Sequence, residues 1–191
     1  MAYRVGYFVG SLSSTSINRI LATALIGLAP EDLEFFEIPI RDLPLYSQDY
    51  DDEYPPVAVE LKESMASADA VLFVTPEYNR SIPGGLKNAI DWASRPWGQN
   101  SFDHIPAAVI GASVGAIGTA VAQQSLRGVL SFCNARQMTA PEAYIQFSPD
   151  AFADDGTVTK EGTAAFLRDY LVEFRDHIER VLTVLPRDTD A

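Results

Sequence analysis

Strands and helices alternate along the whole of this 191-residue chain. That order predicts an α/β protein: one domain over residues 1–191, built on a doubly wound, five-stranded parallel sheet in the order 2-1-3-4-5. Three observations carry the prediction. Residues 70–74 are apolar at every position, as suits a strand buried on both faces of a parallel sheet. Ile17, Ile20, Leu21, Ala24, Leu25 and Leu28 recur on one helical stripe just after a first apolar run. The length suits one domain, large enough to hold a core without disulfide or metal.

Taken in order, residues 3–9 are mostly apolar and rich in β-formers, and predict the first strand. The stripe from Ile17 predicts the first helix, ending near Pro30. Residues 33–38 predict a second strand, and the acidic stretch 39–55, with its prolines and tyrosines, a long loop. Ala58, Leu61, Met65 and Ala68 mark a second helix. The strand at 70–74 follows, then a loop, with Pro83 placed as the first residue of a third helix. That helix carries Leu86, Ala89, Ile90 and Ala93 on one face. Residues 106–111 predict the fourth strand, 117–133 the fourth helix and 136–145 a fifth strand. After a loop at 148–159, Leu167, Tyr170, Leu171, Phe174, Ile178, Val181 and Leu185 mark the last helix. The arrangement is flavodoxin-like. In such sheets ligands bind beyond the carboxyl ends of the strands, near the switch point between strands 1 and 3. The loops that start at Gly10, Thr75 and Ala112 are therefore expected to hold the site.

Composition narrows the function. With 47% hydrophobic and 21% charged residues, the chain is neither disordered, collagen-like nor a long coiled coil. The single cysteine, Cys133, excludes a disulfide framework and any cysteine-based metal cluster. His104 and His177 are the only histidines, so no metal site is expected. A net charge of −12 repels nucleic acid and anionic membrane. Yet residues 1–30 and 104–141 contain no Asp or Glu. Either these stretches are core, or they keep room for an anionic ligand. Residues 1–16 lack the pattern of a secretory signal. The uncharged stretch 105–126 contains Pro106, three glycines and Gln123–Gln124, and reads as strand, turn and helix rather than a membrane span. The cytoplasm is the expected compartment.

Each of the three loops has chemistry. The first, from Gly10 to Arg19, offers five hydroxyls, the Asn18 amide and a helix N-terminus, a donor set suited to phosphate. It also reads as a serine-rich N-cap. It matches neither G-x-G-x-x-G nor G-x-x-x-x-G-K-[ST], so neither a Rossmann dinucleotide site nor an NTPase is suggested. The second runs from Thr75 to Gly85. Pro76 and Pro83 stiffen it, Tyr78 suits a planar ring, Glu77 and Asn79 suit ring heteroatoms, and Gly84–Gly85 permits a close approach. The third, Gly111 to Gly118, has three glycines that would allow a flat wall against a ligand. It also matches G-x-S-x-G, the nucleophile elbow of serine hydrolases, with Ser113 as nucleophile. That alternative needs His177, which is expected to lie inside the last helix.

Gly10-Ser11-Leu12, followed by Ser16-Ile17-Asn18, resembles the phosphate loop of the NADPH-dependent FMN reductases. Pro76-Glu77-Tyr78-Asn79, continuing through Ser81-Ile82-Pro83-Gly84-Gly85-Leu86-Lys87-Asn88-Ala89-Ile90-Asp91-Trp92, resembles their second signature. The likeness spans roughly residues 3–145 and is closest to the chromate and quinone reductase branch. The resemblance implies FMN as cofactor and NADPH or NADH as co-substrate. Hydride would pass through FMN to a small-molecule acceptor: a quinone, a flavin, an azo compound or a metal oxyanion such as chromate. It implies that Ser11, Ser13, Ser16 and Asn18 hold the phosphate region. Pro76, Glu77, Tyr78 and Asn79 would edge the isoalloxazine, with Ser113 and Gly115 facing it from the other side. It implies a homodimer or homotetramer. Hydride transfer itself needs no side-chain acid or base, so no catalytic residue is nominated. A flavodoxin-like electron carrier is the alternative, though carriers usually rim the flavin with acids, and these loops are poor in them.

Two positions depart from the family pattern. Ser13 stands where the family often has an arginine, so one charged phosphate contact is missing. Arg80 stands where the branch often has an aromatic residue, and is expected to favour an anionic or phosphate-bearing substrate. Cys133 is expected to be a buried helix residue, and Trp92 and Trp97 to pack in the core or an interface.

Overall fold

The computed structural model describes residues 2–186. Its strands are β1 (Tyr3–Val9), β2 (Leu33–Glu37), β3 (Ala70–Val74), β4 (Pro106–Ser113), β5 (Arg136–Gln137) and β6 (Ala143–Gln146). Its helices are α1 (Ile17–Gly27), α2 (Pro56–Ala66), α3 (Gly84–Ala93), α4 (Ala120–Phe132) and α5 (Glu161–Val184), with a single 3-10 turn at Gln48–Tyr50. All pairings between strands are parallel, in the order β2-β1-β3-β4-β5, as the alternation of elements predicts.

The side-chain period of a strand sorts residues to two faces. Val71 and Phe73 of β3 meet Phe8, Leu86, Ile90, Trp92 and Leu126 on the side of α2, α3 and α4. Leu72 and Val74 meet Leu21, Leu25, Leu167, Leu171 and Phe174 on the side of α1 and α5. The sheet is thus covered on both faces, which is what an all-parallel sheet requires.

The expected fifth strand over 136–145 is interrupted. β5 pairs with Pro106–Ala107, and β6 pairs with Ile110–Ser113 further along β4. Pro141 lies in the gap and has no N–H to give to a ladder. Pro83 is the N-cap of α3 rather than its first helical residue, with extended backbone (ψ 145°). α4 begins at Ala120 and not at 117 because Gly115–Gly118 closes a turn first, with the Gly118 N–H donating to the Gly115 carbonyl at 3.0 Å. α5 begins at Glu161, ahead of its apolar stripe.

Trp92 is fully buried among Tyr46, Tyr50 and Tyr54, and its Nε1 donates to the Pro44 carbonyl at 2.7 Å. The long loop after β2 is pinned there. Trp97, by contrast, is 81% exposed, so within the chain it joins no core. Cys133 is buried at the end of α4, and burial pushes its thiol pKa up, as an inert core thiol should behave.

Candidate functional site

Val9 lies beside Val74, and Val74 beside Ile110, so the carboxyl ends of β1, β3 and β4 share one edge of the sheet. Their loops enclose an open groove of about 240 Å³. Ser11, Ser13, Ser16, Asn18, Pro76, Glu77, Tyr78 and Ser113 line it. Thr15, counted among the hydroxyls of the first loop, and Ala112, the start of the third, line it too, as do Ile17 and Val114, which the sequence does not single out. Ile17 falls on the apolar stripe of α1, and nothing in the sequence marks Val114 as an outward-facing apolar residue. Asn79 and Gly115 are not among the lining residues.

The first loop is organised by its own hydroxyls. Ser11 Oγ accepts from the Ser13 N–H at 3.3 Å, and Ser13 Oγ from the Thr15 N–H at 3.2 Å. Ser16 caps α1 by accepting from the Arg19 N–H at 3.3 Å. Ser11 and Ser16 use oxygen lone pairs in these bonds and keep their O–H protons to donate. The N–H groups of Ile17 and Asn18, in the first turn of α1, have no acceptor among the described residues. No acid stands in that turn. Helix geometry leaves such N–H groups orphaned, and the macrodipole makes them attractive to an anion.

Asn18 does more than line the groove. It is buried, and its side chain forms a reciprocal pair with Ala112: Nδ2 donates to the carbonyl and Oδ1 accepts from the N–H, both at 2.9 Å. The amide thus ties α1 to the end of β4. Leu12 packs against Gly85, where an added Cβ would come within 3.3 Å of its side chain. The first and second loops are locked together by that contact.

Glu77 has a structural assignment. Its Oε2 accepts from the N–H groups of Val121 and Ala122, both at 3.1 Å, and its Oε1 from Arg80 at 3.0 Å. It caps α4 from a distant loop. Tyr78 and Ser81 exchange two backbone hydrogen bonds of 3.0 Å, closing a two-residue turn on Asn79 and Arg80, both with positive φ. The turn holds Tyr78 at the groove, with its side chain half exposed. Arg80 is bound to Glu77 and otherwise faces solvent.

The third loop corrects two expectations. An added Cβ on Gly111 would overlap the Thr75 carbonyl and the Thr119 hydroxyl, so this glycine serves close packing against the end of β3 and the start of α4, not a ligand wall. Gly118 has φ +57°, and a Cβ there would lie 2.8 Å from the Tyr144 backbone. The hydrolase alternative also falls. Ser113 Oγ accepts from the Gly115 N–H at 3.1 Å, and α4 starts only at Ala120, so no tight strand-to-helix elbow exists. His177 lies within α5, 2.8 Å from the carbonyl of Arg136, the residue paired with Pro106 at the opposite end of β4. Ser113 is seven residues further along that strand, or about 23 Å at the rise of a parallel strand.

Of the nearby cations, Arg19 is spoken for: it forms two bonds to Glu37, at 2.8 and 2.9 Å. These hold the Glu37 carboxyl below the usual carboxylate range. The groove therefore combines free N–H and O–H donors with Pro76, Tyr78 and Val114 in one lining. A phosphate monoester carrying a flat ring fits that donor set.

The family model for NADPH-dependent FMN reductase matches residues 3–150. The chain belongs to this family. It is 49% identical over 174 residues to the 2-hydroxy-1,4-benzoquinone reductase of a Burkholderia species, covering 91% of this chain and 95% of that protein. A quinone reductase of Pseudomonas putida is 44% identical over 178 residues, covering 93% and 95%. Among solved structures, FerB, a flavoenzyme NAD(P)H:(acceptor) oxidoreductase from Paracoccus denitrificans, has 48% identity and a TM-score of 0.91, covering 94% of this chain and 98% of that one.

Proposed function

We propose that this chain is an FMN-dependent NAD(P)H:quinone oxidoreductase. The observation that carries the reading is the groove itself, in which orphaned α1 donors and an apolar wall come together on one edge of the sheet. When bound, FMN would supply hydride acceptance and donation, chemistry that no side chain here can perform. The N–H groups of Ile17 and Asn18 and the hydroxyls of Ser11 and Ser16 would hold its phosphate, with Ser13 and Thr15 shaping the loop around it. Pro76, Tyr78 and Val114 would bear on the ring. The Asn18 amide and the Glu77 carboxylate hold the surrounding loops in register. Ser113 lines the floor of the same groove, and Asn79 sets the turn that presents Tyr78. Gly115 steadies Ser113 through its N–H.

The relatives named as quinone reductases support a quinone as acceptor. An open groove would also admit free flavins, azo compounds and chromate. NADPH and NADH are both proposed as reductants. We also propose assembly as a homodimer or homotetramer, supported by Trp97 and Phe132, which are 81% and 83% exposed beside a cavity of about 540 Å³. No helix among the described residues is long and apolar enough to cross a membrane. A cytoplasmic site suits an NAD(P)H-dependent reaction.

Purification tests the reading. A yellow protein that bleaches with NADPH under anaerobic conditions, and regains its colour on adding benzoquinone, supports it. Colour without bleaching makes the protein an electron carrier instead. Failure to take up FMN at all ends the proposal. Light scattering on the same sample reads the oligomer.

A further inference from the structure

The groove has donors but no side-chain cation among its lining residues. Arg19 is taken by Glu37 and Arg80 by Glu77. Arg41 is different. It follows β2, and its Nη2 donates to the carbonyl of Leu12 at 2.5 Å. Leu12 sits between Ser11 and Ser13, which both line the groove. Arg41 is exposed and pairs with no carboxylate among the described residues. A guanidinium has five N–H donors, and the bond to Leu12 uses one of them.

Arg41 is bonded to the loop that offers the groove its hydroxyl and N–H donors, in a chain of net charge −12. Its contact is with a backbone carbonyl, which leaves its full charge uncompensated. The loop also carries Ser13 and no charged side chain of its own between Gly10 and Asn18. We propose that Arg41 supplies the positive charge for the FMN 5′-phosphate, acting from outside the loop, and so sets the preference of this protein for FMN over riboflavin. The inference rests on the FMN reading above. A charge brought from a neighbouring turn does what a loop arginine would do, because a phosphate dianion responds to any cation held close to it.

The test is a double comparison of two flavins against three proteins. Wild type, Arg41→Gln and Arg41→Lys, each freed of bound flavin, are titrated with FMN and with riboflavin, following quenching of flavin fluorescence. Arg41→Gln is expected to weaken FMN binding about tenfold, the range of a charge-assisted contact, and to leave riboflavin binding unchanged. Arg41→Lys keeps most of the FMN affinity, and added salt narrows the gap between wild type and Arg41→Gln. Equal weakening of both flavins would mean that Arg41 only props the loop at Leu12, and overturns the proposal. So does an unchanged FMN affinity, including the case where only the KM for NADPH rises and the 2′-phosphate is the true partner. Wild-type protein that binds neither flavin removes the FMN reading and this inference together, and that result is distinct because no variant is needed to see it.

Discussion

Of the helices that begin on the carboxyl edge of the sheet, α1 and α4 have N-termini treated in opposite ways. α4 has no side-chain cap of its own, and Thr119 at its N-cap makes no such bond. Its Val121 and Ala122 N–H groups are filled by the carboxylate of Glu77, which arrives from the loop after β3 and is nearly buried. α1 caps itself with Ser16 and leaves the N–H groups of Ile17 and Asn18 open toward the groove. The same backbone dipole is satisfied by a carboxylate in one place and left without one in the other. Glu77 shows what an anion does at such a terminus. The open N–H groups at α1 are where we propose that the FMN phosphate binds.

The strongest way to break this contrast is to cut the tie that positions α1. Asn18→Ala leaves the Ala112 N–H and carbonyl unpaired in the interior. Each such group costs about 1–3 kcal/mol, so a loss of about 3 kcal/mol is expected, read as a lower urea midpoint at unchanged slope. Flavin uptake should vanish with it. A shift too small to measure would show that the open terminus does not depend on β4. Next in size is Glu77→Ala, which uncovers the α4 terminus and frees Arg80. A loss of about 2 kcal/mol is expected. Glu77→Gln should recover part of it, since an amide oxygen still accepts. If the alanine variant also gains a sulfate or phosphate at α4 in a crystal, the two termini have been made alike.

The contrast also explains what the sequence could show. Strand order and the three converging loops were legible because burial on both faces leaves unbroken apolar runs such as 70–74, and because loop positions follow from strand order. The donors of the first loop were legible as residue types. The tasks of Asn18, Glu77 and Gly111 were not, because each acts on a partner far away in the chain: Ala112, the start of α4, and Thr75 with Thr119. Side-chain pairing at such separations leaves no local pattern. The broken fifth strand was half legible, since Pro141 was visible but the resumption of the ladder at Ala143 depends on the length of β4.

A smaller effect sharpens the α1 side. Ser16→Ala removes the hydroxyl that caps the Arg19 N–H and that would also reach the phosphate. About 1 kcal/mol of stability should be lost, with FMN binding weakened and riboflavin binding spared. Weakening of both flavins alike would mark Ser16 as a cap and nothing more.

The smallest effect concerns pH and separates the two ends of the sheet. His177 is half-buried at the end away from the groove, and burial lowers its pKa from 6.5. The Arg136 carbonyl can only accept, so His177 donates through its Nε2–H. The unfolded chain then binds a proton more readily than the folded one. This group's contribution is present above pH 6.5 and is lost as pH falls through the lowered folded value. His177→Gln should flatten that slope in urea denaturation curves measured between neutral and mildly acidic pH. FMN affinity should follow a different titration. The phosphate itself protonates with a second pKa of about 6, and an open helix terminus prefers the dianion, so affinity should fall as pH drops through that range. The fall should be the same in wild type and in His177→Gln. A variant that changes the pH dependence of FMN binding would mean that a proton at one end of the sheet is felt at the other. The charge at α1 would then no longer be a local matter of N–H groups and a phosphate.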